Sequence, residues 1–299
     1  MTEMLHLSNG QIEVVIHPRG AELQVLKSLS TGVNYMWSGD PEYWGKFSPI
    51  LFPIVGALKN DTYLYNGKEY TLPRHGFARE RTFLAEHVSE EAVNFRLVDD
   101  AETRACYPFN FQLDVHYRLE ENRVYCRYTV TNTGEGPLWF SIGGHPAFAV
   151  PLLLENETTQ YETTQYEDYF LEFNHSHELN RYKVTGGLIG DGTQHIKLDQ
   201  GRLPLSKDLF REDALVLKGM PDTEISLGCS KHPHGLHFRF EGFPFFGIWA
   251  APGADFVCLE PWCGIADSVH HNQELTTKEG ILSVEPGEHW CRQWCVAVF

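Results

Sequence analysis

Three short segments of the chain place a titratable side chain next to glycine or proline. They are RHGFAR at residues 74–79, GGHPAF at residues 143–148 and CLEPWCG at residues 258–264. Glycine and proline bend the backbone, which lets a neighbouring side chain point into a cavity. Histidine exchanges protons near neutral pH. A glutamate that closes an apolar strand is partly desolvated, which raises its pKa. His75, His145 and Glu260 are therefore candidates for general acid–base chemistry.

Stretches that alternate apolar and polar residues, or are rich in β-branched and aromatic residues, dominate the chain and predict β-strands. They are residues 11–17, 81–88, 92–97, 112–119, 124–132, 236–240, 256–260 and 290–299. No sustained helical period occurs, and only residues 41–44 and 206–212 favour short helices. Many short strands separated by Gly, Pro and Asn predict an all-β fold, a large antiparallel β-sandwich. Because no linker divides the chain, we expect one domain over residues 1–299.

Two dipeptides between these stretches predict tight hairpin turns. Asn9-Gly10 and Asn66-Gly67 each suit a type I′ turn, because both central residues of that turn need positive φ. A different local feature is the pentapeptide TTQYE, which occurs at residues 158–162 and again at residues 163–167. A short polar duplication is tolerated most easily in a surface loop, and a lid over a site is the alternative.

The composition excludes several classes of protein. The 299 residues carry a formal net charge of −16, which disfavours binding to nucleic acid or to anionic lipid. No apolar run approaches the ~20 residues of a membrane helix, and the first residues do not resemble a signal peptide. The seven cysteines lack zinc-binding spacing, so we expect reduced thiols in a cytoplasmic protein.

The histidine clusters raise a metal hypothesis that the sequence does not favour. His232, His234 and His237 form one group, and the pairs at residues 175/177 and 270/271 form two more. No carboxylate stands at ligand spacing in a rigid element, so solvated loop histidines are the better interpretation and no metal is expected.

The three motifs HGFAR, GGHPAF and LEPWCG, in this order and spacing, resemble the aldose 1-epimerase (galactose mutarotase) superfamily. The resemblance is greatest to its branch of LacX-type proteins and hexose-6-phosphate mutarotases. It extends to residues 48–56, 246–250 and 278–280. It implies a galactose mutarotase-like β-supersandwich with a sugar cleft across one sheet. It also implies a small-molecule sugar as the partner, and neither a metal nor a redox cofactor.

The resemblance assigns roles to the three central residues. Glu260 matches the general base, His145 the general acid, and His75 a residue that binds the sugar and polarises its oxygen. The base removes the proton of the C1 hydroxyl while the acid protonates the ring oxygen. The ring then opens, the C1–C2 bond rotates, and the ring closes on its other face. This scheme needs Glu260 ionised and His145 protonated at rest, so their pKa values should be held apart.

Five further residues are candidates for substrate contacts. Trp249 could stack on the sugar, although a core tryptophan fits the sequence equally, and Asp213 occupies the region of the family's substrate-binding aspartate. Arg79 belongs to HGFAR and could hold a hydroxyl, a phosphate or a carboxylate, and Arg74 and Lys46 could join it at the cleft mouth. The phosphate-binding branch that the chain resembles carries an arginine before a Pro-Leu-Val-Phe-Pro-like segment, where this chain has Lys46-Phe47-Ser48. Lysine lacks the bidentate fork, so a 6-phosphate on the hexose stays an open question.

Two other functions remain on sequence grounds. A carbohydrate-binding protein on the same scaffold would use the cleft and Trp249 without turnover. A glycoside hydrolase would need two carboxylic acids about the scissile bond, and the motifs supply only Glu260. The complete acid–base set favours the isomerase, acting as a monomer or a homodimer.

Overall fold

The computed structural model describes residues 3–154 and 164–299. Strands account for most of the regular structure in these ranges. In chain order they are β1 (Leu5–Ser8), β2 (Ile12–His17), β3 (Glu22–Ser28), β4 (Val33–Met36), β5 (Ile50–Leu51), β6 (Thr62–Tyr65), β7 (Lys68–Thr71), β8 (Leu84–Ser89), β9 (Ala92–Val98), β10 (Phe111–Glu120), β11 (Arg123–Asn132), β12 (Leu138–Phe140), β13 (Ile142–Gly144), β14 (Ala147–Leu154), β15 (Tyr169–Phe173), β16 (Glu178–Thr185), β17 (Leu188–Lys197), β18 (Arg202–Pro204), β19 (Leu215–Lys218), β20 (Glu224–Cys229), β21 (Leu236–Arg239), β22 (Phe245–Trp249), β23 (Phe256–Cys263), β24 (Leu282–Val284) and β25 (His289–Val298).

Helical structure is sparse in the described ranges. A six-residue helix, α1, covers Ala101–Cys106, and single 3₁₀ turns lie at Lys59–Asp61, Ala78–Glu80, Tyr166–Asp168 and Leu275–Thr277. The side chain of Asp100 caps α1 by accepting from the Thr103 amide, and the Thr103 hydroxyl accepts in return from the Asp100 amide. No helix among residues 3–154 and 164–299 is long and apolar enough to cross a membrane.

The strands form two large antiparallel sheets. The first has 12 strands with the order β1-β2-β3-β4-β14-β23-β22-β19-β16-β17, and β13 joins it by pairing with β23 and β5. The second has nine strands in the order β18-β15-β20-β21-β25-β11-β10-β9-β8. The ribbons β12–β24 and β6–β7 complete the described structure. This arrangement confirms the predicted all-β antiparallel architecture.

The core lies between the two large sheets. Along β10 and β11 every second residue is buried, as expected for strands with one face on a core. Aromatic side chains join the sheets, since the ring of Phe238 on β21 lies 6.0 Å from that of Phe148 on β14 and 6.1 Å from that of Phe246 on β22. Burial of such rings is a large hydrophobic contribution to the stability of the sandwich.

Strand β23 is buried on both faces along all eight residues. It runs in the middle of the 12-stranded sheet, between β14 and β13 on one side and β22 on the other. Because side chains alternate along a strand, Cys258, Glu260 and Trp262 share one face, and Val257 and Leu259 point the other way into the core. The outer face of this sheet therefore presents Glu260 away from the sandwich core.

Most of the local predictions agree with the structure, and a few do not. Asn66 and Gly67 have φ of 51° and 73°, as the type I′ turn requires, whereas at Asn9-Gly10 only the glycine is at positive φ. Asn9 instead accepts hydrogen bonds from the amides of Gln11 and Ile12 through its side chain, which widens that turn. Residues 41–44 and 206–212 form turns rather than helices.

Only part of the TTQYE repeat can be placed. The first copy lies outside the described residues, as does the first residue of the second copy. In the rest of the second copy Tyr166 is buried, and its hydroxyl donates to the Phe256 carbonyl at 3.0 Å. This part of the second copy is thus anchored to β23 and does not behave as a free surface loop.

Candidate active site

The three motif residues reach the same cleft from different elements. Glu260 lies in the middle of β23, and His145 follows β13 at the bend before β14. His75 lies in the segment between β7 and the 3₁₀ turn Ala78–Glu80. All three line a cleft of about 230 Å³ on the outer face of the 12-stranded sheet, a size that suits a small ligand. Nearly 200 residues of sequence separate them, so the fold brings them together.

The backbone around His75 holds its ring in one orientation. His75 adopts a positive φ of 68°, a strained conformation for a residue with a side chain. Its own amide donates to the Gly56 carbonyl at 2.9 Å, and the Gly56 amide donates to His75 Nδ1 at 3.0 Å. Since Nδ1 accepts this bond, the neutral ring carries its proton on Nε2. His75 is therefore built to donate a hydrogen bond through Nε2.

His145 is the centre of the arrangement. Its Nε2 lies 3.2 Å from Glu260 Oε2, close enough for a proton to pass between the two groups. The His75 ring is edge-on to the His145 ring, with centroids 5.8 Å apart. His145 and Glu260 are both more than nine-tenths buried. A sugar that touches one of these two groups at C1 is consequently within reach of the other.

Three tryptophans form walls of the cleft. The Trp44 indole stacks on His145 at 4.9 Å between centroids, and Trp249 meets the same ring edge-on at 5.7 Å. The Trp262 indole packs over Gly143 on β13 and Gly247 on β22, where a Cβ atom would lie within 2.6 Å and 2.4 Å of the ring. Indole faces suit the apolar C–H faces of a pyranose. The placement of Trp249 in the cleft agrees with the predicted sugar contact, which it does not by itself test.

Burial favours the uncharged forms of all three central residues. Burial, with the nearby charges of Arg79 and Arg74 acting in the same direction, lowers the pKa of His145 to about 3. Burial lowers the pKa of His75 well below its ordinary value, with His145, Arg74 and Arg79 acting in the same direction. Burial also raises the pKa of Glu260 well above its ordinary value, although the charge of Arg74 opposes that shift.

The direction of these pKa shifts runs against the resting protonation expected from the sequence. The scheme that the family resemblance implies requires Glu260 ionised and His145 protonated, whereas burial shifts the pKa of each group toward its uncharged form. The proton count of the pair is the same in both descriptions, because one proton moved across 3.2 Å converts one into the other. Burial therefore disfavours the ion-pair form relative to the form with a neutral imidazole and a neutral carboxyl.

The structure places four of the five predicted substrate-binding residues on the cleft. Arg74, Arg79, Asp213 and Trp249 line it. Arg79 donates from Nη2 to the Arg74 carbonyl, and its Nε has no hydrogen-bond partner among the described residues. Asp213 has φ of 98°, and its Oδ1 accepts from the Ala214 amide at 2.7 Å. These positions are consistent with contacts to a bound sugar, and the roles stay predictions.

Lys46 is not among the residues that line the cleft. Its Nζ is 2.7 Å from Glu80, which also pairs with Arg19 at 2.6 Å. The three residues form a partly exposed ion cluster beside the site. We expected Lys46 to line the cleft mouth together with Arg74 and Arg79. The structure shows instead that Lys46 forms an ion pair with Glu80 and does not line the cleft.

Histidines of the predicted clusters contact different polar groups. His237 lies on β21 and its Nδ1 is 2.7 Å from the Ser226 hydroxyl, while the exposed His270 is 2.9 Å from Asp191. His232 is buried against the Tyr169 hydroxyl at 2.8 Å, so it is not the solvated residue that we expected. Among the described residues, one group of three could hold a metal ion, and it is His145, Cys258 and Glu260.

Two tryptophans that line the cleft were not predicted from the sequence. Trp262 could have been found, because it lies two residues from Glu260 on a strand and so shares its face. Trp44 could not have been found, because its contact with His145 joins positions about 100 residues apart and no local sequence pattern predicts it.

Comparison with known proteins gives a consistent result along the whole chain. The family model for aldose 1-epimerase matches residues 3–290. The plasmid form of protein LacX from Lactococcus lactis subsp. lactis is 33% identical over 293 residues, which is 94% of this chain and 95% of that protein. The chromosomal form of LacX from the same organism matches to the same extent.

Two solved structures are similar in both fold and sequence. The galactose mutarotase related enzyme from Lactobacillus acidophilus has a TM-score of 0.90 and 33% identity, covering 99% of this chain and 97% of that one. A galactose mutarotase-like protein from Lactobacillus casei ATCC 334 has a TM-score of 0.88 and 29% identity, covering 99% of this chain and all of that one. On this evidence, and with its histidines and glutamate gathered in one cleft, the chain belongs to the aldose 1-epimerase family of isomerases.

Proposed function

We propose that the protein is a mutarotase that interconverts the α and β anomers of a hexose, with Glu260 and His145 as its proton-transfer pair. The observation that carries this proposal is the 3.2 Å separation of His145 Nε2 and Glu260 Oε2 within the cleft. The two oxygens that exchange protons, O1 and the ring oxygen O5, are bonded to the same carbon atom. A base and an acid that lie side by side therefore suffice for ring opening and closure.

The reaction needs one proton in the pair, which is the number that the buried site favours. Glu260 in its ionised form removes the C1 hydroxyl proton while protonated His145 donates to O5, and the charges return as the ring closes. Each positioned group of this kind typically contributes ~10²–10⁴-fold. His75, with its proton on Nε2, donates a hydrogen bond to a sugar oxygen and stabilises the developing charge.

The charges at the cleft bear on the substrate. Arg74 and Arg79 line it in a chain of net charge −16, and no described carboxylate lies within 4.0 Å of the Arg74 guanidinium. Arg74 is the group available to a 6-phosphate, since Lys46 is paired with Glu80. We propose a neutral hexose as the minimal substrate, with Arg74 binding a 6-phosphate where the sugar carries one.

Polarimetry of fresh α-glucose, α-galactose and their 6-phosphates, with and without the protein, tests the proposal. We expect the optical rotation to reach the same equilibrium value faster with protein for at least one of these sugars. A protein that binds the sugar, as measured by calorimetry, and leaves the rate at its spontaneous value is a carbohydrate-binding protein instead. Release of a reducing sugar from a glycoside would indicate a hydrolase.

A further inference from the structure

Cys258 is a buried thiol that the proposed mechanism does not use. It lies on β23 two residues before Glu260, on the same strand face, and is fully buried. Its Sγ, one ring nitrogen of His145 and one carboxylate oxygen of Glu260 all lie within 4.8 Å of one another. Sulfur, nitrogen and oxygen donors thus converge at one buried point.

The spacing of these atoms is close to that of a metal site. An ion at the centre of a triangle with 4.8 Å sides would lie about 2.8 Å from each corner, and zinc binds such atoms at about 2.0–2.3 Å. Each side chain therefore needs to move by less than about one ångström. The contact between His145 Nε2 and Glu260 Oε2 is already 3.2 Å, near the roughly 3.3 Å expected across a tetrahedral zinc ion.

A further feature of the cleft favours a bound cation. The cleft leaves the fourth coordination position open, because His145 and Glu260 both line it. A water molecule or a sugar hydroxyl could complete the coordination there.

We propose that Cys258, His145 and Glu260 form an inhibitory binding site for a thiophilic divalent cation such as Zn²⁺. Binding displaces the Cys258 proton and the proton shared by the pair, so it strengthens as pH rises. Inhibition, as opposed to activation, follows because the ion takes both proton-transfer groups as ligands. This consequence depends on the proposed mutarotase function, whereas the existence of the site does not.

The experiment therefore separates binding from activity. Co²⁺ gives a thiolate charge-transfer band in the near ultraviolet when a cysteine ligates it, and it reports the site without any turnover. We would titrate the protein with Co²⁺ in a Cys291→Ser background, which removes an exposed thiol. Cys258→Ser is the test variant, and Cys263→Ser, a buried thiol on the opposite face of β23, is the matched control. Cys258→Ala serves if the serine variant does not fold.

We expect the charge-transfer band in the background protein and in Cys263→Ser, and its loss in the Cys258 variants. Mutarotation should be inhibited by Zn²⁺ and restored by a chelator, and Cys258→Ser should keep its metal-free rate while needing at least about tenfold more zinc for half-inhibition. If the protein shows the charge-transfer band and has no mutarotase activity, the proposed function is refuted and the proposed metal site still stands. Absence of the band, equal zinc sensitivity of Cys258→Ser and its parent, or activation by zinc would overturn the site or its inhibitory role.

Discussion

Glu260 Oε2 lies 3.2 Å from His145 Nε2 in a setting where burial lowers the pKa of the imidazole and raises the pKa of the carboxyl. These two shifts favour a pair that holds one proton, carried by Glu260. It gains a second on His145 only near the imidazole pKa of about 3, and it loses the first from Glu260 above the ordinary carboxyl value. Burial disfavours the ion-pair form of the two groups.

The pH dependence of kcat/KM should be bell-shaped. Its acidic limb should come from His145 and its basic limb from Glu260, the reverse of what a resting ionised Glu260 and protonated His145 would give. The rate should rise with pH as the second proton leaves His145, and fall at higher pH as the pair loses its remaining proton from Glu260. The measurement is polarimetric kcat/KM against pH, with the spontaneous rate subtracted at each point. In the Glu260→Gln variant the residual activity should lack the basic limb. Loss of the acidic limb in that variant would contradict the assignment.

Removing the proposed base should lower the rate of the chemical step and leave substrate binding nearly unchanged. Glu260→Gln keeps the shape and hydrogen-bonding capacity of the side chain, so we expect kcat to fall by roughly 10²-fold or more with KM little changed. His145→Asn should have a similar effect, because O5 then lacks its proton donor. The comparison is His75→Asn, which should raise KM, since the proposed role of His75 is to hold the sugar. Turnover of Glu260→Gln at the parent rate would show that the mechanism is wrong.

Arg74 should decide whether a 6-phosphate improves binding. We expect Arg74→Met to weaken binding of a hexose 6-phosphate about threefold to tenfold and to leave the free hexose nearly unaffected. Lys46→Met is the control, and it should change neither affinity because Glu80 already pairs with that lysine. Affinities measured by calorimetry at two salt concentrations check the result, since the gain from Arg74 should shrink with added salt. If the parent protein bound the free hexose and the hexose 6-phosphate with equal affinity, Arg74 would have no role in phosphate binding.

Gly247 should be required for the position of Trp262, which forms one wall of the cleft. A Cβ at this position would lie 2.4 Å from the Trp262 ring, so Gly247→Ala must displace the indole or the strand. We expect a loss of about 1–3 kcal/mol in the free energy of unfolding together with a higher KM. Gly136→Ala is the matched control, because a Cβ there meets no atom within 4 Å. Denaturant unfolding and kinetics of both variants provide the measurement, and equal stability of the two would refute the packing argument.

Strand positions were predictable from the sequence to the extent that one face is buried. β10 and β11 alternate cleanly and were predicted within one residue at each end, whereas α1 was missed because six residues are too short to show a helical period. Its cap at Asp100 is formed by Thr103 rather than by the glutamate or glutamine of the usual capping-box signature.

The residues of the site also differ in how far the sequence predicts them. His75, His145 and Glu260 lie in distinctive motifs, and Trp262 follows from the period of a strand. The pairing of Lys46 with Glu80 and the stacking of Trp44 on His145 depend on contacts between distant segments, which no local pattern encodes. The resting protonation of the pair depends on how completely both groups are buried, and the sequence indicates only partial desolvation of Glu260.

The central position of β23 also determines how the protein loses activity. Because that strand is hydrogen-bonded on both sides and buried throughout, its amides should exchange with solvent only when the whole sandwich opens. The carboxylate of Glu260, which we propose as the base, should therefore belong to the last part of the molecule to unfold. Inactivation by heat should accordingly coincide with the cooperative melting of the sheets, with no earlier stage in which the fold persists and Glu260 is displaced.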